Sequence, residues 1–130
     1  MAGLWIRCEK MGDDSTTIKE LKDMVHKFNV ERDWDQFHIA KDLAIGISTE
    51  AAEVLEHFIY KTDAEIEELF KGEKRTEIED EIADVLWGTL MFAERYYIDL
   101  SSALKKKMSK TALKYPINKA KGSNKKYTEL

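Results

Sequence analysis

Apolar residues recur along this chain at three- and four-residue spacing, the repeat of one helix face. Ile18, Leu21, Val25 and Phe28 predict a first helix over about Ile18 to Arg32. Thr17, with Glu20 three residues later, fits a capping box at its start. The stretch DWDQFH, residues 33–38, interrupts the pattern. A second stripe of Leu43, Ile47, Val54 and Phe58 predicts a helix from about Ile39 to Lys61. TDAEIEELFKGEKRT reads as a short amphipathic helical turn ending near Gly72. Ile78, Val85, Thr89, Phe92 and Tyr96 mark a third long helix over about Thr76 to Tyr97. Asp99 then caps a fourth that stops before Tyr115-Pro116, and Ile117 to Leu130 reads as an extended tail. Only six glycines and one proline punctuate the chain, so helices are favoured over strands and turns. Four helices with short links predict an all-α fold, a four-helix bundle.

Two of these apolar stripes carry acids. In GISTEAAEVLEH, residues 46–57, Glu50 falls within the stripe and Glu53 beside it. In EDEIADVLWG, residues 79–88, Glu81 falls within the stripe and Asp84 on its flank. If the two helices face each other, four carboxylates meet at their interface. Such a cluster loses hydration and repels itself unless it is protonated, paired with Lys or Arg, or bound to a divalent cation. Most acids spaced this way are ordinary surface groups with a basic partner one helical turn away. That reading is weakened here, because Glu50 has Gly46 and Val54 at those positions and Glu81 has Glu77 and Val85. Oxygen ligands without cysteine point to Mg2+ or Mn2+ rather than zinc.

Composition adds limits. The 130 residues suit one domain, and 43% hydrophobic content supplies a core. No apolar run of bilayer length and no secretory signal pattern is seen, so neither membrane insertion nor secretion is expected. Cys8 is the single cysteine, which excludes an internal disulfide and fits a cytoplasmic protein. A net charge of −4 argues against general nucleic-acid binding. The charge is uneven, with acids crowded between Glu50 and Glu81 and a basic stretch, KKKMSKTALKYPINKAKGSNKK, near the end.

These residues resemble a known pattern. The all-α nucleoside triphosphate pyrophosphohydrolases of the MazG-like group carry E-E-x-x-E and E-x-x-D on two helices. This chain reads Thr49-Glu50-Ala51-Ala52-Glu53, then 27 residues, then Glu81-Ile82-Ala83-Asp84. Thr49 departs from the first glutamate, as in the dCTP pyrophosphatase-like branch that the chain most resembles. The similarity continues through ERDWDQFH, Tyr60-Lys61-Thr62-Asp63, DLSSALKKKM, KYP at 114–116 and the terminal KYTEL, about 100 of the 130 residues.

The resemblance implies Mg2+-dependent hydrolysis of a (deoxy)nucleoside triphosphate, dCTP or a modified dCTP, to the monophosphate and pyrophosphate. That would be a house-cleaning role in the nucleotide pool. It implies Glu50, Glu53, Glu81 and Asp84 as metal ligands, with Mn2+ as a substitute ion. Trp34 and His38 match positions that hold the base and sugar, and Tyr60, followed by Lys61, matches an aromatic position at the base. Arg95 matches a basic residue near the phosphates. Lys114, Tyr115, Lys121, Lys125 and Tyr127 match a tail that closes over the site, often from a neighbouring subunit. A homo-oligomer, dimer or tetramer, is implied. The expected organisation is a loose arm at 1–15, the helical domain at 16–116 and the basic tail at 117–130. Two departures stand out. Thr111 stands where the family often has Asn, and Gly88 replaces an aromatic, which would widen the base pocket. Of the four acids, Glu53 at the stripe's edge is the candidate general base.

Taken alone, several of these residues have plainer readings. A lone Trp34 at a helix junction is more often a packing anchor, and His38 a helix-start hydrogen-bonding residue. His57 reads as a packing residue or a support behind the acids. Trp5 and Trp87 read as arm and interface residues, and Lys105 to Lys107 as a solvated helix face. A ferritin-like di-iron bundle would need Glu-x-x-His, which Glu50, Glu53 and Glu81 all lack. The serious rival is a non-catalytic helical dimerisation or regulatory module. Within the enzyme class, dUTP or phosphoribosyl-ATP are alternative substrates.

Overall fold

The computed structural model describes residues 12–130. Trp5, Cys8 and most of the arm expected at 1–15 lie outside the described residues. Residues 12–15 form a turn in which Ser15 N–H donates to the Gly12 carbonyl at 3.0 Å. The described chain is all-α: α1 (Ile18–Val30), a 3-10 turn (Asp35–Phe37), α2 (Ala40–Glu56), α3 (Asp63–Leu69), α4 (Lys74–Arg95), α5 (Leu100–Lys114), α6 (Ile117–Ala120) and a final 3-10 turn (Tyr127–Glu129).

The chain forms two compact units that divide after Tyr97. In the first, α4 is the central element and packs against both α1 and α2. Helix α1 starts on the expected capping box: Thr17 accepts from the Glu20 N–H, and the Glu20 carboxylate accepts from the Thr17 N–H at 2.7 Å. The same device, Thr62 with Glu65, starts α3.

Helix α2 stops at Glu56, short of the Lys61 that periodicity suggested. Its C-cap is His57, and in the turn that follows Tyr60 adopts φ +61°, a left-handed conformation uncommon for a residue other than glycine. Helix α2 also begins unusually. Its N-cap, Ile39, has no side-chain acceptor, and the Ala40 N–H instead donates to the Tyr96 hydroxyl at 2.7 Å. The far end of α4 therefore caps the start of α2.

Helix α4 shows why one stripe was too few. Gly88 lies against Ile47 of α2: a Cβ at that glycine would come within 2.9 Å of Ile47 Cγ1. On another face, Trp87 meets Phe28 edge-on at 4.9 Å between ring centroids, and Glu94 meets His26 at 3.2 Å. Leu90 lies between those two contacts along the helix, and it is buried together with Val25, Leu43, Ile78 and Ala93. Serving two neighbours, α4 buries residues that a single amphipathic face leaves out.

In the second unit, the Asp99 side chain accepts from the Ser102 N–H at 2.8 Å and caps α5 as expected. The stretch expected to be extended instead contains α6 and the terminal 3-10 turn. Pro116 serves as the N-cap of α6, and its carbonyl accepts from Lys119 and Ala120.

Candidate active site

Helices α2 and α4 pack along the faces that carry the acids. Carboxylate oxygens of Glu50, Glu53 and Glu81 lie within 4.8 Å of one another. Asp84 is outside this tightest group but near enough to repel both Glu50 and Glu81. Among the described residues, no Lys or Arg forms an ion pair with any of the four. Loss of hydration pushes the Glu50 carboxyl above the usual carboxylate range. A hydrogen bond shared with Glu53 and repulsion from Glu53, Asp84 and Glu81 push the same way. Glu81 is raised by the same causes, first desolvation, then Glu53 and Asp84, and only the nearby His57 opposes them.

This donor set fits a hard divalent cation. It is all oxygen, it spans two rigid helices, and its charge has no Lys or Arg partner among the described residues. Protonation is the other way to relieve the repulsion, and the raised pKa values of Glu50 and Glu81 are its signature in the metal-free chain.

Glu50 and Asp84 also border a cleft of about 420 Å3. The chain before α2 contributes Phe28, Trp34 and His38 to its lining. Asp42, Leu43 and Gly46 come from α2, and Trp87, Gly88 and Met91 from α4. The cleft is thus aromatic at the wall built from Phe28, Trp34 and Trp87, and acidic toward Glu50 and Asp84. Phe28 and Trp34 meet edge-on at 5.8 Å, and the Arg32 guanidinium lies 3.5 Å from the Phe28 ring centroid, backing that wall.

Of the residues singled out from sequence, Trp34, His38, Glu50, Asp84 and Gly88 border this cleft, and Glu53 and Glu81 complete the acidic cluster beside it. Trp87, read as an interface residue, also lines the cleft. Tyr60 and Lys61 stand outside it, Tyr60 with 98% of its surface exposed. Arg95, the last residue of α4, is exposed and is not part of the lining.

In the second unit a separate cleft of about 490 Å3 is bordered by Lys107, Lys110, Thr111, Leu113, Lys114, Tyr115 and Tyr127. Lys114 Nζ lies 4.9 Å from the Tyr127 ring centroid, and Tyr115 meets Tyr127 edge-on at 5.9 Å. Lys121 and Lys125 are exposed nearby in sequence but do not border it. Lys107, read as part of a solvated helix face, does.

Sequence reasoning missed Asp42, Gly46 and Met91. Asp42, Gly46 and Glu50 follow one another at four-residue steps, so the face bearing Glu50 could have been extended upstream.

The sequence pattern of the MazG-like family matches residues 45–130, which include all four acids. Human dCTP pyrophosphatase 1 is 32% identical over an alignment covering 100% of this chain and 84% of the human protein. The rat dCTP pyrophosphatase 1 is 33% identical over 88% of this chain and 68% of its own length. Among solved structures, a pyrophosphatase from Archaeoglobus fulgidus superposes with a TM-score of 0.73 at 37% identity, covering 82% of this chain and 99% of that one. Family pattern, relatives and fold agree across most of the chain, and it belongs to the MazG-like family.

Proposed function

We propose that this chain is a Mg2+-dependent nucleoside triphosphate pyrophosphohydrolase that splits dCTP or a modified dCTP into the monophosphate and pyrophosphate. The observation that carries this reading is the convergence of Glu50, Glu53 and Glu81 beside an aromatic-walled cleft. The dCTP pyrophosphatases among its relatives support the substrate class.

Glu50, Glu53, Glu81 and Asp84 would hold the ion. When bound, it supplies neutralising charge for the triphosphate oxygens and Lewis acidity at the reacting phosphorus. The chain's own groups do the rest. Trp34 and His38 hold the base and sugar in the cleft, which places the α-phosphorus toward the acids. A water adds to that phosphorus, the bond to the oxygen bridging the α and β phosphorus breaks, and pyrophosphate leaves. Glu53, clustered with Glu50 and Glu81, is the proposed acceptor of the water's proton. Lys114, Lys121 and Lys125, by their charge, and Tyr115 and Tyr127, by their hydroxyls, are proposed contacts for phosphate oxygens; Lys114, Tyr115 and Tyr127 border the basic cleft. Arg95 is proposed for the same role and Tyr60, with Lys61, for a place beside the base. The exposure of Arg95, Tyr60 and Lys61 means that each needs a closed or assembled state to act.

A panel of dNTPs with Mg2+, scored for pyrophosphate against single-phosphate release, tests the reading. Glu53→Gln and Asp84→Asn should each abolish turnover while leaving the helical circular-dichroism signal intact. Near-normal rates in either variant would refute the site.

A further inference from the structure

The aromatic wall of the cleft rests on a residue that does not itself line the cleft. Phe28, in the last turn of α1, meets Trp34 edge-on at 5.8 Å and Trp87 edge-on at 4.9 Å, and all three border the cleft. The Arg32 guanidinium lies 3.5 Å from the Phe28 ring centroid and 5.9 Å from that of Trp34, yet Arg32 is not among the lining residues. Its Nη1 also donates to the Phe28 carbonyl at 3.0 Å, so the head group is held to the backbone and the ring of the same residue. The main chain makes the same return. The Arg32 and Trp34 N–H groups both donate to the Asn29 carbonyl, at 3.2 and 3.0 Å, around Asp33 at φ +52°. Two plainer roles for Arg32 are weak. Its ion pair with Glu31 is 3.9 Å long and exposed, and such pairs contribute little. As a direct phosphate ligand it would have to leave both the Phe28 carbonyl and the ring.

We propose that Arg32 is a positioning residue for the nucleotide: its stacked guanidinium holds Phe28 and Trp34 as a preformed wall against which the base is seated. The proposal rests on the function argued above and deepens it. Trp34 stands in the link between α1 and the 3-10 turn and is 45% exposed, a place where a side chain stays mobile unless a neighbour fixes it. A wall ordered in advance spares binding the entropy of ordering it. A guanidinium suits this task better than an ammonium, because its planar face stacks on the ring while its N–H groups reach a carbonyl.

The test compares wild type, Arg32→Met and Arg32→Lys by kcat and KM for dCTP with Mg2+, by Kd for a non-hydrolysable dCTP analogue, and by the near-ultraviolet circular dichroism of the tryptophans. In Arg32→Met the apolar stem remains and the stacked charge is gone. KM and Kd should rise about tenfold, the scale of a partly desolvated cation–π contact, with kcat within about twofold of wild type. The near-ultraviolet signal of the free variant should weaken and return when the analogue binds. Arg32→Lys should show most of the same loss, because charge without the planar face does not restore the wall. Unchanged KM and Kd in Arg32→Met overturn the proposal, as does a loss confined to kcat, an unaltered near-ultraviolet signal, or full recovery in Arg32→Lys. If Arg32→Met fails to fold, Arg32→Lys decides by the same measurements. A wild type that binds the analogue but releases no pyrophosphate would refute the functional reading and leave Arg32 to be judged on Kd and the tryptophan signal.

Discussion

Glu50 and Glu81 are held in the fold with raised pKa values, and the sign of the consequence follows from that direction. A carboxyl whose folded-state pKa exceeds its unfolded value favours folding when protonated, so its ionisation works against the fold. Metal-free protein should therefore gain stability as the pH falls from neutral toward the raised pKa values. The gain should stop once the pH passes below the ordinary value of 4.5. Protons compete with the cation for the same oxygens, so Mg2+ affinity should weaken over the same descent. Thermal melts across pH, with and without Mg2+, check both trends. At saturating Mg2+, one hundred times its Kd, the fold should gain about 2.7 kcal/mol by mass action. Glu50→Gln should melt higher than wild type in the metal-free state and lose most of the Mg2+ response, whereas a mere surface acid would do neither. The acids themselves were legible from sequence because they interrupt an apolar stripe and lack intrahelical partners. Asp42 and Gly46 were not. They interrupt nothing, and their four-residue spacing from Glu50 is the one signal that sequence offers for the face they share.

At the scale of elements, local signals read true and long-range ones did not. Thr17 with Glu20, and Asp99 with Ser102, are contacts within a few residues, and both caps form as their sequence suggests. The end of α2 carries no Gly or Pro, so nothing local marks the left-handed Tyr60. Its beginning depends on Tyr96, which no sequence window contains. Tyr96→Phe removes one hydroxyl and should cost about 1 kcal/mol, the worth of a backbone hydrogen bond at a helix start. Chemical denaturation measures it, and a change under a few tenths would show that water replaces the phenol. Gly88→Ala tests the helix contact in the opposite sense. Ile47 must give way, and overpacking of this kind costs about 1–3 kcal/mol. A neutral Gly88→Ala would mean that α2 and α4 separate more easily than their close approach implies.

For the molecule as a whole, the all-α class was legible, while the division after Tyr97 was not: the turn to basic residues beyond it reads equally as uneven charge within one domain. The described chain also buries few apolar side chains deeply: Val25, Leu43, Ile78, Leu90 and Ala93. Ile45 and Leu55, on the side of α2 turned away from the acids, are 56% and 57% exposed, and Ile82 on α4 is 53% exposed. A chain of this length ordinarily buries more, and such surface is typical of subunits whose core is completed by self-association. Sedimentation should find a dimer or tetramer, and Leu55→Lys should shift it toward monomer and lower the melting temperature. A wild-type monomer at micromolar concentration would contradict this.

The Tyr96 hydroxyl bond also bears on synthesis. Ala40 and Tyr96 stand 56 positions apart, so a ribosome has finished α2 long before it makes the phenol that completes that helix's first turn. That turn lies between His38 and Asp42 of the cleft lining, and it takes its cap only once Tyr96 has emerged. A nascent chain stalled before residue 96 should show faster amide exchange at Ala40 than one stalled after release of α4 from the exit tunnel.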